Sequence, residues 1–331
     1  MKKWLAAFGL LLTLATAALV AGALWVKQQW SRPLALAEPE LLEVRAGDSA
    51  FNLLYAFHER GWLAEPRLGQ LLLKLKPELG QIRAGCYEIS PGMTLEAVLA
   101  RLGSGDEASF AVTLIEGHRF QEWRQVLAEA PHLQLTLDNV SDAELAERLG
   151  VEHVEGWFMP ETYHYRCRDK DSQVLARAHQ AMKQALDELW PKRADDLPLA
   201  SPYEALILAS IVEKETAVAE ERPLVAAVFV NRLRKKMRLQ TDPTVIYGLG
   251  DEFDGNLTRQ HLRSHTDYNT YVIRGLPPTP IAMPSRAAIE AVLHPAKTDY
   301  LYFVANGDGS HVFSRTLAEH NRAVNKYQRK R

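Results

Sequence analysis

Hydrophobic and polar positions fall into three textures along the chain. From Trp4 to Val26 the run WLAAFGLLLTLATAALVAGALWV carries no charge, with Lys2 and Lys3 before it and Lys27 after it. At ~1.5 Å rise per residue it predicts a helix able to cross a ~30 Å hydrocarbon core. A cleaved signal peptide has a shorter apolar stretch of ~7–15 residues, although sites such as Ala15-Thr16-Ala17 leave cleavage open. Trp4, Trp25 and Trp30 suit membrane interfaces, and the early lysines favour a cytoplasmic N-terminus. The expectation is a single-pass anchor over residues 1–30, a linker over 31–40, and the bulk of the chain outside the cytoplasmic membrane.

The second texture is alternating and short. LLEVRAGDSAFNLLYAFHERGWL and IRAGCYEISPGMTLEAVLARLGSG each read as strand, Gly-containing turn and amphipathic helix, with LGQLLLKLKPEL as a helix between them. Thr94 is a candidate N-cap. Residues 41–106 form one small α/β module of this grammar, similar to a LysM-like domain. ASFAVTLIEGHRF adds a strand and turn, followed by a helix through Trp123 and Val126, as lead-in to a domain covering 107–331.

The third texture centres on Ser201 to Gly250. Ser201, Pro202 and Glu204 form a helix start with capping-box spacing. ALILASIV is apolar on every side, as a helix buried all round must be. It ends in Glu213, Lys214, Glu215 and Thr216. EGWFMPETYHY, from Glu155 to Tyr165, reads as an aromatic, Pro-broken segment whose rings serve the core or stack on sugars. A helix follows from about Asp171 to Trp190. Gln240 to Pro284 is loop-rich, with many neutral hydrogen-bonding groups suited to a polyhydroxylated ligand. A helix from Ser285 to Leu293, a strand pair TDYLYFVAN and HVFS, and a final helix close the chain.

Composition narrows the function. With 331 residues and a formal net charge of -2, the chain has room for about two domains and lacks the basic face of a nucleic-acid binder. Cys86 and Cys167 are the two cysteines, too few to define a disulfide framework, and pairing and idle thiols both stay open. There is no Walker-type loop and no His-Glu-x-x-His motif. His261 and His265 share i, i+4 spacing without a neighbouring catalytic glutamate, so no metal site is expected. Ser210 and Lys214 are one residue too far apart for a Ser-x-x-Lys nucleophile.

Glu213 and Glu215 lie roughly 200° apart around a continuing helix, so only one can face a given cleft. A glutamate on an apolar helix end loses hydration of its charged form and becomes a credible general acid. A salt-bridged helix end, with Lys214, Arg222 or Arg232 as partner, is an equally simple reading of the segment alone.

The longer motifs go further. EGWFMPETY, ASIVEKETAVAEERPLVAAVFVNRL, MRLQTDPTVIYGLG, YNTYVIRGLPPTPIA and HPAKTDYLYFVANGDGSHVFS resemble the MltG (YceG-like) endolytic murein transglycosylases over nearly the whole chain. The resemblance implies an α+β protein: a transmembrane helix, a LysM-like module and a largely helical, lysozyme-like catalytic domain with a small β element. It implies a lytic transglycosylase that cuts the MurNAc–GlcNAc bond and leaves 1,6-anhydroMurNAc ends, so terminating nascent strands. Glu215 is the implied catalytic acid, with Glu213 second. Asn231, Asp242, Thr244, Tyr268 and Asn269 are the expected subsite residues, and Glu161 matches an acidic position of open role. No cofactor or metal is implied. The expected partners are glycan strands, the membrane and the peptidoglycan synthases, at an inner membrane with the bulk of the chain periplasmic. A non-catalytic glycan-binding scaffold, tethering a membrane complex to the wall, is the alternative of a different class.

Overall fold

The computed structural model describes residues 2–328, which divide into two compact units, Met1–Phe110 and Ala111–Arg331. In the first unit, α1 (Lys2–Trp30) is the apolar segment, and its stretch Ala7–Trp30 is long and apolar enough to cross a membrane. The chain then stays close to what it has just left. Trp30 Nε1 donates to Leu68 O at 2.9 Å, Leu34 N–H to Met93 O at 2.8 Å, and Pro33 bridges to Thr94.

The two strand–helix stretches of the sequence pack on one another around a single core. β1 (Glu40–Val44) pairs antiparallel with β2 (Gly85–Ile89), with Glu40 opposite Ile89 and Val44 opposite Gly85. Between them lie α2 (Ala50–Glu59) and α3 (Pro66–Leu75), and α4 (Leu95–Ser104) follows β2. Caps set the helix starts: Ser49 Oγ accepts from Asn52 N–H, and Thr94 Oγ1 accepts from Ala97 N–H. One core holds the unit together, built on Leu42, Leu54, Phe57, Leu72, Tyr87 and Leu99. Neither Cys86 nor Cys167 is a free thiol.

The second unit is largely helical with two small sheets. β3 (Ser109–Leu114) pairs with β4 (Glu161–Arg166), so the aromatic segment read as irregular in fact ends in a strand that buries Tyr163 and Tyr165. Alternation in Glu-Thr-Tyr-His-Tyr-Arg is the signal for it. Two helices intervene, α5 (Phe120–Glu129) and α6 (Asp142–Leu149). α7 (Asp171–Leu189), α8 (Pro202–Glu215), α9 (Arg222–Arg234) and α11 (Arg286–Leu293) share the main core. The loop-rich stretch after Gln240 contains α10 (Asp242–Leu249), begun by Asp242 and Pro243 at positions that favour a helix start. β5 (Tyr302–Ala305) and β6 (His311–Ser314) form an antiparallel hairpin, and α12 (Leu317–Tyr327) packs on it.

α8 is the axis of this unit. Every residue from Ala205 to Val212 is buried, including Ser210, whose Oγ donates to Ile207 O and accepts from Ile281 N–H. Ser201 caps the helix by accepting from Glu204 N–H. Glu204 Oε2 accepts from Ala200 N–H, one residue outside the expected capping box. At its other end the helix stops at Glu215, and Thr216 turns extended, so the two glutamates emerge where regular structure ends.

Candidate active site

The two glutamates of α8 have opposite surroundings. Glu213 is enclosed: its side chain is 4% exposed, Oε1 lies 3.5 Å from Arg222 Nη2, and Oε2 accepts from Ser285 N–H at 2.8 Å and from Ser285 Oγ. Both oxygens are engaged in tying α8 to the starts of α9 and α11. Lys214 turns away and donates to Gly117 O at 3.0 Å.

Glu215 instead forms part of the wall of a cleft of about 600 Å³. Thr241 Oγ1 donates a short hydrogen bond to Oε1. Oε2 makes no hydrogen bond to protein among the described residues, so it is the oxygen left for a ligand. Burial raises the pKa of this carboxyl, the Thr241 hydrogen bond and the Arg232 charge pull it back, and Asp242 adds to the rise. The balance is upward, so the protonated form is favoured relative to an ordinary glutamate.

The remaining walls come from three elements. Asp242, at the start of α10, accepts from Tyr271 OH at 2.6 Å. From α9, Arg232 is buried and spends its guanidinium on backbone: Nε donates to Leu301 O at 2.7 Å, and Nη1 to Leu239 O at 2.8 Å. It thereby pins both the loop before Thr241 and the start of the β5–β6 hairpin. Nη1 also lies 3.2 Å from Gln240 Oε1. Gln240 itself has φ 54, a left-handed conformation unfavourable for any residue with a Cβ, and it directly precedes the threonine that holds Glu215. The hairpin and α12 close the cleft with Tyr302, His311, His320 and Asn321. The Tyr302 and His320 rings stack at 5.2 Å, and His320 Nδ1 is buried without a hydrogen-bond partner among the described residues.

Of the subsite residues expected from sequence, Asp242 alone lines this cleft. Thr244 is fully buried, donating to Thr241 O at 2.8 Å and pairing with Thr270 Oγ1, so it shapes the loop behind Thr241. Asn269 is also buried; its amide donates to His261 O and Ser264 O, and its oxygen accepts from Tyr271 N–H at 3.0 Å. Tyr268 OH pairs with Thr279 Oγ1 at 2.8 Å, and its ring meets Tyr247 at 4.9 Å. Asn231 donates to Thr298 O and Tyr300 O, which braces the approach to β5. Glu161 is an exposed first residue of β4. These polar side chains satisfy backbone groups of irregular segments, as buried polar groups must.

Sequence reasoning missed Tyr271, His311 and His320 as wall residues and Thr241 as the buried partner of Glu215. Thr241 sits one position before Asp242, and only its spatial approach to α8 distinguishes it. His311 carried a weak signal, being a polar residue in the short apolar strand HVFS.

A model of the YceG-like family matches residues 42–326. A protein of Bacillus subtilis (strain 168) named endolytic murein transglycosylase is 31% identical over 305 residues, covering 86% of this chain and 84% of that protein. One of the same name from Streptococcus pneumoniae serotype 2 is 28% identical over 279 residues, covering 73% of this chain and 50% of its own length. The crystal structure of a yceG-like protein from Listeria monocytogenes superposes with a TM-score of 0.54 at 30% identity, covering 86% of this chain and 99% of that one.

Proposed function

This chain belongs to the YceG-like family, and from that premise we propose that it is a membrane-anchored lytic transglycosylase acting on peptidoglycan glycan strands. The observation that carries the reading is Glu215, a carboxyl with a raised pKa, held at one oxygen by Thr241 and open to a large cleft at the other. Such a group can give a proton to the glycosidic oxygen between MurNAc and GlcNAc as the bond to C1 breaks through an oxocarbenium-like transition state. The carboxylate so formed takes the proton from the C6 hydroxyl of the same MurNAc while that oxygen closes on C1. The products are a free GlcNAc 4-hydroxyl and a 1,6-anhydroMurNAc end, and Glu215 returns to its protonated state. One acid suffices for both proton transfers.

The finer assignments follow the same line. We read β1, α2, α3 and β2 as a LysM-like glycan-binding module, because two antiparallel strands enclose two helices in one compact unit. The second unit is read as the lysozyme-like catalytic domain, supported by its largely helical core and a glutamate at the end of a buried helix. Asp242 is the sequence-expected subsite residue best placed to meet sugar hydroxyls. Asn231, Thr244, Tyr268 and Asn269 act on the subsites by shaping the loops around them. We read α1, long and apolar enough to cross a membrane, as an anchor in the cytoplasmic membrane, with the catalytic unit on the periplasmic side beside the machinery that makes nascent strands.

The test is mass spectrometry of glycan strands incubated with the full-length protein. Anhydro-muropeptides from internal cuts are expected. Reducing ends in their place would make the enzyme a hydrolase, and binding without cleavage would leave a wall-tethering scaffold.

A further inference from the structure

The β5–β6 hairpin carries a second polar device at the cleft, distinct from the acid. Glu221, at the N-terminal edge of α9, is buried, and both its oxygens converge on one residue of β6: Oε1 accepts from His311 N–H at 2.8 Å and Oε2 meets His311 Nδ1 at 2.7 Å. Thr216 Oγ1, next to Glu215, lies 3.4 Å from the same Oε2. The imidazole is further fixed by an edge contact with Phe303 at 5.4 Å. A carboxylate that receives two N–H groups from one histidine fixes both the ring plane and the tautomer, because Nδ1 must carry its proton to face a carboxylate oxygen. Nε2 makes no hydrogen bond to protein among the described residues, and His311 lines the cleft with Glu215. A structural histidine tied to a buried glutamate has no need to present its other nitrogen to an open cleft.

We propose that His311 contacts the substrate directly, with Nε2 as a fixed hydrogen-bond acceptor for a hydroxyl or acetamido N–H of the sugar bound beside Glu215, and that Glu221 is the positioning residue that sets its tautomer. The assignment rests on the transglycosylase reading of the same cleft. It gives the cleft an acceptor that stays in place while the Glu215 carboxyl changes its protonation. No proton leaves or enters His311 in this role. The pair acts as an orienting dyad, in the way a buried carboxylate orients the imidazole of a hydrolase triad, without the general-base step.

The experiment has two parts, both on the full-length protein. In the first, strand cleavage by wild type, H311F and H311A is followed through anhydro-muropeptide release; H311F retains a ring against Phe303. Both variants are expected to lose at least about tenfold in kcat/KM per folded protein, the size of one lost acceptor contact, and to melt below wild type because the buried Glu221 carboxylate loses the ring N–H. Retention within twofold of wild type overturns the proposal. In the second part, nitrogen NMR of histidine-labelled protein reads the ring directly: Nδ1 protonated and Nε2 bare in wild type is expected, and Nε2 protonated in its place overturns it. In E221Q the amide must turn its NH2 toward either the His311 backbone N–H or the ring, and the orientation that avoids two opposed donors moves the ring proton to Nε2. Loss of activity together with that tautomer change is the expected result, and a changed tautomer at full activity overturns the acceptor role. Wild type that releases no anhydro-muropeptides would instead overturn the transglycosylase reading itself, whatever His311 does.

Discussion

Glu155 and Glu215 are two carboxyls of the same unit that burial pushes in the same direction, yet their surroundings suit different purposes. Glu155 accepts from Phe120 N–H at 3.1 Å and meets Tyr247 OH at 3.2 Å, and burial lifts its pKa to about 8. It is buried, with both oxygens engaged by protein. Glu215 lines the cleft and has one hydrogen-bond partner, Thr241, among the described residues. Glu213, on the same helix end, is closed off by Arg222 and Ser285. A raised pKa marks a buried acid, and access to a ligand separates a catalytic candidate from a structural one.

The sharpest way to break the comparison is to neutralise the open carboxyl. Glu215→Gln keeps the shape and Thr241 as a neighbour, and anhydro-muropeptide release should fall by about a thousandfold or more with an unchanged melting temperature. Full activity in that variant would remove Glu215 from the acid role. Removing a closed carboxyl should do the reverse. Glu213→Ala leaves Arg222, only 16% exposed at its side chain, without its ion partner and Ser285 N–H without its acceptor. A loss of about 3 kcal/mol in denaturant unfolding is expected, with the folded fraction still able to cleave.

Glu155 sharpens the contrast through pH. Its folded pKa of about 8 lies above the unfolded value of 4.5, so the folded state binds the extra proton between them. Its stabilising contribution is complete below pH 4.5 and is lost as pH rises through about 8. Glu155→Gln mimics the protonated form, donating to Tyr247 and accepting from Phe120. The variant should match wild type near pH 4.5 and be more stable at pH 9 by on the order of 3 kcal/mol, read by unfolding at both pH values, with cleavage unchanged. The smallest effect concerns the Thr241 hydrogen bond, which favours the charged form of Glu215. Thr241→Val should move the alkaline limb of the pH–rate profile upward and cost about 1 kcal/mol, roughly fivefold in rate.

Much of this arrangement is legible along the chain, and the illegible part has a common cause. Helix α8 announces itself through Ser201, Pro202 and an apolar run, and helical geometry alone says that Glu213 and Glu215 diverge. Which of the two is enclosed depends on Arg222 and Ser285, whose approach is set by tertiary packing. The loop residues Asn269 and Thr244 have the chemistry of sugar ligands, and the fold uses it on its own backbone. Irregular segments need internal hydrogen-bond partners, and sequence cannot separate a side chain that supplies one from a side chain kept for a ligand. His311 shows the opposite error: a strand residue whose value comes from Glu221, far away in sequence.

The junction after α1 has a mechanical meaning. Ten residues of free chain would allow an excursion of roughly 17 Å between their ends and let the module wander over the bilayer. Here the chain folds back at once, with Trp30 bonded to Leu68 and Pro33 bridged to Thr94. In a membrane, α1 then serves as a stiff post instead of a leash. For a chain so anchored, the fold would set the height of the first module above the lipid surface, and any tilt of the helix would be passed on to the module it carries.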